Sequence, residues 1–113
     1  MKPHRLLPLL GLAGALVLGA CSKPAGIAPE QDTQLRAQAL IDSGNASFRA
    51  KDFANAAKRY ASAVHIRPED PAAHYGLGMA LSHLGRDDEA RVAYARAREL
   101  ARQSGERSAG AGR

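Results

Sequence analysis

The chain has no tryptophan, and only three tyrosines and two phenylalanines among its 113 residues. A core built without large rings must use Ala, Leu, Val and Ile, and the alanine and leucine content favours helices over strands. There is one cysteine, Cys21, which excludes an intrachain disulfide framework. No HExxH pattern is present, and beyond residue 21 the histidines are His65, His74 and His83, nine residues apart. Two histidines three or four apart on a helix converge on a metal, but His74 and His83 project from opposite sides, so no metal site is expected. Ser43, Ser47, Ser62 and Ser82 have neither a base nor an orienting acid at a readable spacing. There is no phosphate-binding loop, and Gly76-x-Gly78 falls inside a helical pattern rather than after a strand. At this length a large sandwich or an α/β fold with its own cleft is excluded. Neither an enzyme nor a cofactor is therefore expected.

The formal charge is +5, which taken alone would suggest nucleic acid or a membrane surface. Two of the 16 basic residues, Lys2 and Arg5, stand before an uncharged run, Leu6 to Leu18 (LLPLLGLAGALVL). That run is shorter than the roughly 20 apolar residues a spanning helix needs, and it matches the apolar region of a secretory signal. It ends Leu18-Gly19-Ala20-Cys21, followed by Ser22. These residues resemble the lipobox of bacterial lipoproteins. The resemblance implies a signal peptide over 1–20, cleavage before Cys21, lipid on its sulfur and new amino group, and, with serine next, an outer-membrane destination. Loss of Lys2 and Arg5 would lower the net charge from +5 to +3, so a nucleic-acid partner is not expected. Residues 21–29 read as the lipidated cysteine and a flexible Pro/Gly tether, and 103–113 (QSGERSAGAGR) as a disordered tail.

Between them, 30–102 carries a helical pattern with a 34-residue offset. Gly44 matches Gly78, Ala56 matches Ala90, Tyr60 matches Tyr94, Ala63 matches Ala97, and Ile66 pairs with Leu100. Glycine inside a helix costs about 1 kcal/mol against alanine, so Gly44 and Gly78 mark a close approach by another helix. Ala56 and Ala90 are expected to form the other half of that contact, with Tyr60 and Tyr94 one turn further on. Asp52 and Asp70 are suited to cap helices, Asp70 preceding a proline at the first helical position. Gly85 is suited to end one in the left-handed conformation.

These residues resemble the tetratricopeptide repeat (TPR), a 34-residue helix–turn–helix unit, with copies at about 37–70 and 71–104. Arg102 stands where the closing proline would be, and Asp87 where an aromatic is common. The resemblance implies an all-α fold of two repeats stacked as a right-handed solenoid. It also implies a protein–protein interaction role, the first helix of each repeat lining a concave groove. Carried over by position, the groove would show Gln38, Ile41, Asp42, Asn45, Phe48 and Arg49 from one copy and Ala72, Tyr75, Gly76, Met79, Ser82 and His83 from the other. Asn45 matches one member of the carboxylate-gripping set known in the family, whereas Ile41 and Tyr75 stand where basic residues would be. The expected partner is an envelope protein or peptide, with the chain anchored to the membrane through Cys21. A repeat stack usually needs about three units. Either the extended first helix from Glu30 caps the stack or its exposed end is covered by another molecule, in a homodimer or on a larger envelope assembly, and the second is expected. A self-assembling structural module without a foreign ligand is the alternative function.

Overall fold

In the computed structural model, residues 26–112 are described, and they form four helices. α1 is Pro29–Arg49, α2 is Phe53–Ile66, α3 is Pro71–His83 and α4 is Asp87–Ala111. There is no strand among the described residues. The signal segment, Cys21 and most of the tether lie outside them. No helix among the described residues is long and apolar enough to cross a membrane.

The chain reverses twice by the same device. Asp52 N–H donates to the Ser47 carbonyl, and Arg86 N–H, 34 residues on, donates to the Leu81 carbonyl, each at 2.9 Å. A bond from the second residue beyond a helix C-cap back to the last turn is the Schellman closure, which puts the residue between the cap and the donor in left-handed backbone. Those residues are Lys51, with φ +62°, and Gly85, with φ +75°. Glycine is at ease there, whereas lysine is strained. The next helices are capped by aspartates. Asp52 accepts from Asn55 N–H at 3.2 Å, and Asp70 accepts from Ala72 N–H at 2.9 Å ahead of Pro71.

Each hairpin, α1–α2 and α3–α4, packs along its length, and α2 and α3 join the two. α1 also meets α3, whereas α2 and α4 do not touch. The stack therefore closes along α1 and α3 and opens along α2 and α4. The core is dominated by alanine: Ala56, Ala63, Ala73 and Ala80 have no exposed surface, with Ile41, Leu81 and Leu100 among them. Tyr60, at 1% exposure, is the largest fully buried side chain.

Tyr60 corrects one expectation. A Cβ built on Gly44 would fall 2.8 Å from the Tyr60 ring, and one built on Gly78 would fall 2.8 Å from the Tyr94 ring. The mid-helix glycines thus make room for tyrosine rings rather than for the backbone beside Ala56 and Ala90. A Cβ on Gly76 would come nearer still to the Tyr60 ring. One ring is therefore held between a glycine of its own hairpin and a glycine of the next.

The tail is the second correction. Expected as disorder from 103, the chain instead continues α4 to Ala111. Glu99, Arg102 and Glu106 are spaced three and four apart, and Arg102 pairs with both acids, while Gln103 donates to Glu99 at 2.7 Å. Such pairs support a helix that is polar on all sides. α4 reaches past the start of α3: Pro71, the first residue of α3, shares the lining of one open pocket with Ala97 and Ala101, and α4 continues ten residues beyond Ala101 to Ala111.

Candidate functional site

The groove residues expected on α1 and α3 divide into two groups. Gln38, Asp42, Arg49, Tyr75, Ser82 and His83 are exposed, as is Ala72. Ile41 is 5% exposed and belongs to the core, and Gly76 is buried under Tyr60, so neither forms groove surface. Asn45, Phe48 and Met79 are half-buried. The Asn45 side-chain oxygen accepts from the Tyr60 hydroxyl at 2.6 Å, which ties Asn45 to packing between the hairpin's helices. Burial raises the Tyr60 hydroxyl's pKa above the ordinary tyrosine range, so it stays a donor at neutral pH.

Phe48 is engaged differently. Its ring meets Phe53 edge-on at 5.1 Å and His83 edge-on at 5.1 Å, and Phe53 and His83 stack at 4.3 Å. This three-ring cluster joins the first turn to the end of α3. Two of its members were expected in the groove. Phe53 was not, because a lone phenylalanine at a helix start carries no periodic signal.

Tyr75 is the most exposed aromatic side chain, at 54%. Its ring lies 5.6 Å from that of Tyr94 in a tilted arrangement, and burial raises the Tyr94 hydroxyl's pKa. Beside them an open apolar shelf of about 330 Å³ is lined by Pro71, Ala72, Tyr75, Ala97, Arg98 and Ala101. Shelf and ring supply shape and apolar area with a phenol at one side, and Arg98 supplies a guanidinium at the edge. That chemistry suits a peptide side chain. Among the described residues there is no group of three or more His, Cys, Asp or Glu side chains close enough to hold a metal ion.

Residues 47–111 match the family model described as tetratricopeptide repeat. The chain belongs to the tetratricopeptide repeat family. The match runs from the end of α1 through the whole of α4 and includes the helical tail. A TPR repeat-containing protein of Picosynechococcus sp. is 38% identical over 64 residues, which is 57% of this chain and 16% of that protein. The chain thus spans about a sixth of the length of the relative it matches. TPR domains generally act as non-catalytic modules that bind proteins, and the TPR fold here leaves Tyr75 free on the inner helix of its second hairpin.

Proposed function

We propose that this protein is a bacterial lipoprotein, held by lipid on Cys21 in the outer membrane facing the periplasm. Its two-repeat TPR domain acts there as an adaptor, not an enzyme, within an envelope assembly of the secretion, pilus or biogenesis type. The anchoring half rests on Leu18-Gly19-Ala20-Cys21 after an uncharged run and a basic start. One acyl chain gives only marginal membrane binding, and two or three make release very slow. The adaptor half rests on a single observation: Tyr75 is 54% exposed beside an apolar shelf. A large amphipathic ring left in water at the rim of an apolar surface is the kind of group that carries binding energy at protein interfaces. An extended or helical peptide segment would lay one apolar side chain on the shelf and stack against the ring.

Affinity capture from detergent-solubilised envelopes tests both halves. Tyr75→Ala is expected to lose the co-purifying partner while keeping its helical circular dichroism. Cys21→Ser is expected to move the protein from the membrane to the soluble fraction. An unchanged partner set with Tyr75→Ala would reject the shelf as the binding surface, and a membrane-bound Cys21→Ser protein would reject the lipid anchor.

A further inference from the structure

The shelf beside Tyr75 has a counterpart inside the molecule. At the 34-residue offset, Tyr75, Tyr94, Ala97 and Arg98 correspond to Ile41, Tyr60, Ala63 and Val64. On the first hairpin that surface is covered by α3. Ile41, Tyr60 and Ala63 share one core cluster with Ala73 and Ala80 of α3, and Val64 packs against it. Ile41 is 5% exposed and Tyr60 1%, and the backbone of Gly76 on α3 closes over the Tyr60 ring. On the second hairpin the same positions are open: Tyr75 is 54% exposed, Tyr94 is half-buried and Arg98 is exposed. No described segment of this chain takes the place of α3 there. α2 ends at Ile66 and the chain turns back, whereas α4 passes the matching residue, Leu100, and continues to Ala111. The shelf is thus the free face of a joint that the molecule makes once within itself.

Resting on the reading of this shelf as the binding surface, we infer that its occupant is one amphipathic helix of a partner protein, seated on α4 as α3 is seated on α2. The internal joint specifies the guest's sequence. The residue facing Tyr94 is glycine, as Gly76 faces Tyr60, because a side chain there would meet the ring. Small and apolar residues three and four apart, like Ala73, Leu77 and Ala80 on α3, complete the seam. Charge adds a second requirement. α3 runs back along α2 after the turn at 67–70, so the step of one turn from Tyr60 to Val64 matches the step from Gly76 back to Ala72. The guest residue four before its glycine therefore comes over Arg98, which makes no ion pair among the described residues. An acid suits that place. In a guest that begins where α3 does, it falls in the first turn, where the helix dipole favours it as well.

A second copy of this chain does not meet the specification. The residue of α1 at the Gly76 position is Asp42, so a copy continuing the repeat register would press Asp42 against Tyr94. The α3 of a second copy, which does carry the glycine, is already engaged on its own α2. The joint therefore calls for a foreign helix and does not propagate into a chain of copies.

The test titrates the full chain, in mild detergent, with a synthetic peptide of residues 70–84 locked as a helix by a lactam bridge, followed by NMR. The Tyr75 and Tyr94 rings and the Ala97 and Ala101 methyl groups should shift together and saturably, and the Val92 methyl groups should not. Gly76→Leu in the peptide should raise the Kd at least about tenfold by overpacking against Tyr94. Ala72→Glu in the peptide should lower it about two- to fivefold, as an exposed ion pair allows, and Arg98→Gln in the chain should remove that gain. Binding indifferent to Gly76→Leu would overturn the inference and leave the shelf as the binding surface. A peptide that shifts neither tyrosine up to its solubility limit would also overturn it, and only if capture were unchanged by Tyr75→Ala as well would the shelf reading fall with it. Tyr75 and Tyr94 signals that move with the chain's own concentration would give the face to a second copy. Nuclear Overhauser contacts from residues 1–25 to those rings would give it to the chain itself, and either result would overturn the inference.

Discussion

Gly76→Ala is the sharpest test of how the two hairpins are joined. On an open helix the change gains about 1 kcal/mol. Here the added methyl group would run into the Tyr60 ring, which is 1% exposed and bounded on its other side by Gly44. The ring has nowhere to retreat, and its hydroxyl is held by Asn45 at 2.6 Å. Overpacking a filled core costs roughly 1–3 kcal/mol. A Cβ on Gly76 would sit far inside contact distance of the ring, so the upper part of that range applies, about 2–3 kcal/mol. Against the propensity gain of about 1 kcal/mol, a net loss of about 1–2 kcal/mol is expected, or a fall in Tm of roughly 4–16 °C for a domain of this size. Denaturant unfolding with a constant m value measures it. Gly105→Ala is the control, since nothing lies within 4 Å of a Cβ there, and it should be neutral or mildly stabilising. Repeating Gly76→Ala in a Tyr60→Leu background should remove most of the loss, because the obstructing ring is gone. A Gly76→Ala protein as stable as the parent, or a loss that persists without the ring, would refute the packing argument.

Lys51→Gly should stabilise the chain by about 1 kcal/mol, read in the same denaturant assay, because Lys51 occupies left-handed backbone that Gly85 fills without strain in the second hairpin. Tyr60→Phe should lose about 1 kcal/mol by deleting the bond to Asn45. Phe48→Ala should lose about 2 kcal/mol and perturb the Phe53 and His83 resonances together in NMR spectra, since the three rings form one cluster. Hydrogen bonds from the Asn55 side chain and then its backbone hold the Asp52 carboxyl below the usual aspartate range. Its stabilising effect is therefore complete above the unfolded pKa, near about 4, and is lost as pH falls through the lower folded value. The Tm difference between the parent and Asp52→Ala should accordingly shrink on acidification below that range.

The four-helix arrangement was legible because both halves repeat the same small and large residues at one offset. Gly44 with Gly78 and Tyr60 with Tyr94 were each visible twice. Gly76 was misread because its counterpart is Asp42: the first hairpin has no predecessor whose tyrosine it must admit, so the signal occurs once. Ile41 and Asn45 were placed in the groove by position, but burial at these positions depends on the angle between helices, which sequence spacing does not carry. The helical tail was hidden by composition. Glycine and serine argued against helix, while the Glu99, Arg102 and Glu106 spacing that favours it spans the point where disorder was expected to begin.

The Tyr60 ring has a mechanical consequence for any ligand. Touching glycines of both hairpins, it acts as a spacer whose thickness sets the angle between them, and neither hairpin can tilt without crushing or uncovering it. The inner surface is thus moulded during folding and does not flex to embrace what it meets. A guest must arrive already matched to that curvature or adapt its own shape, and the entropy of association falls on the guest.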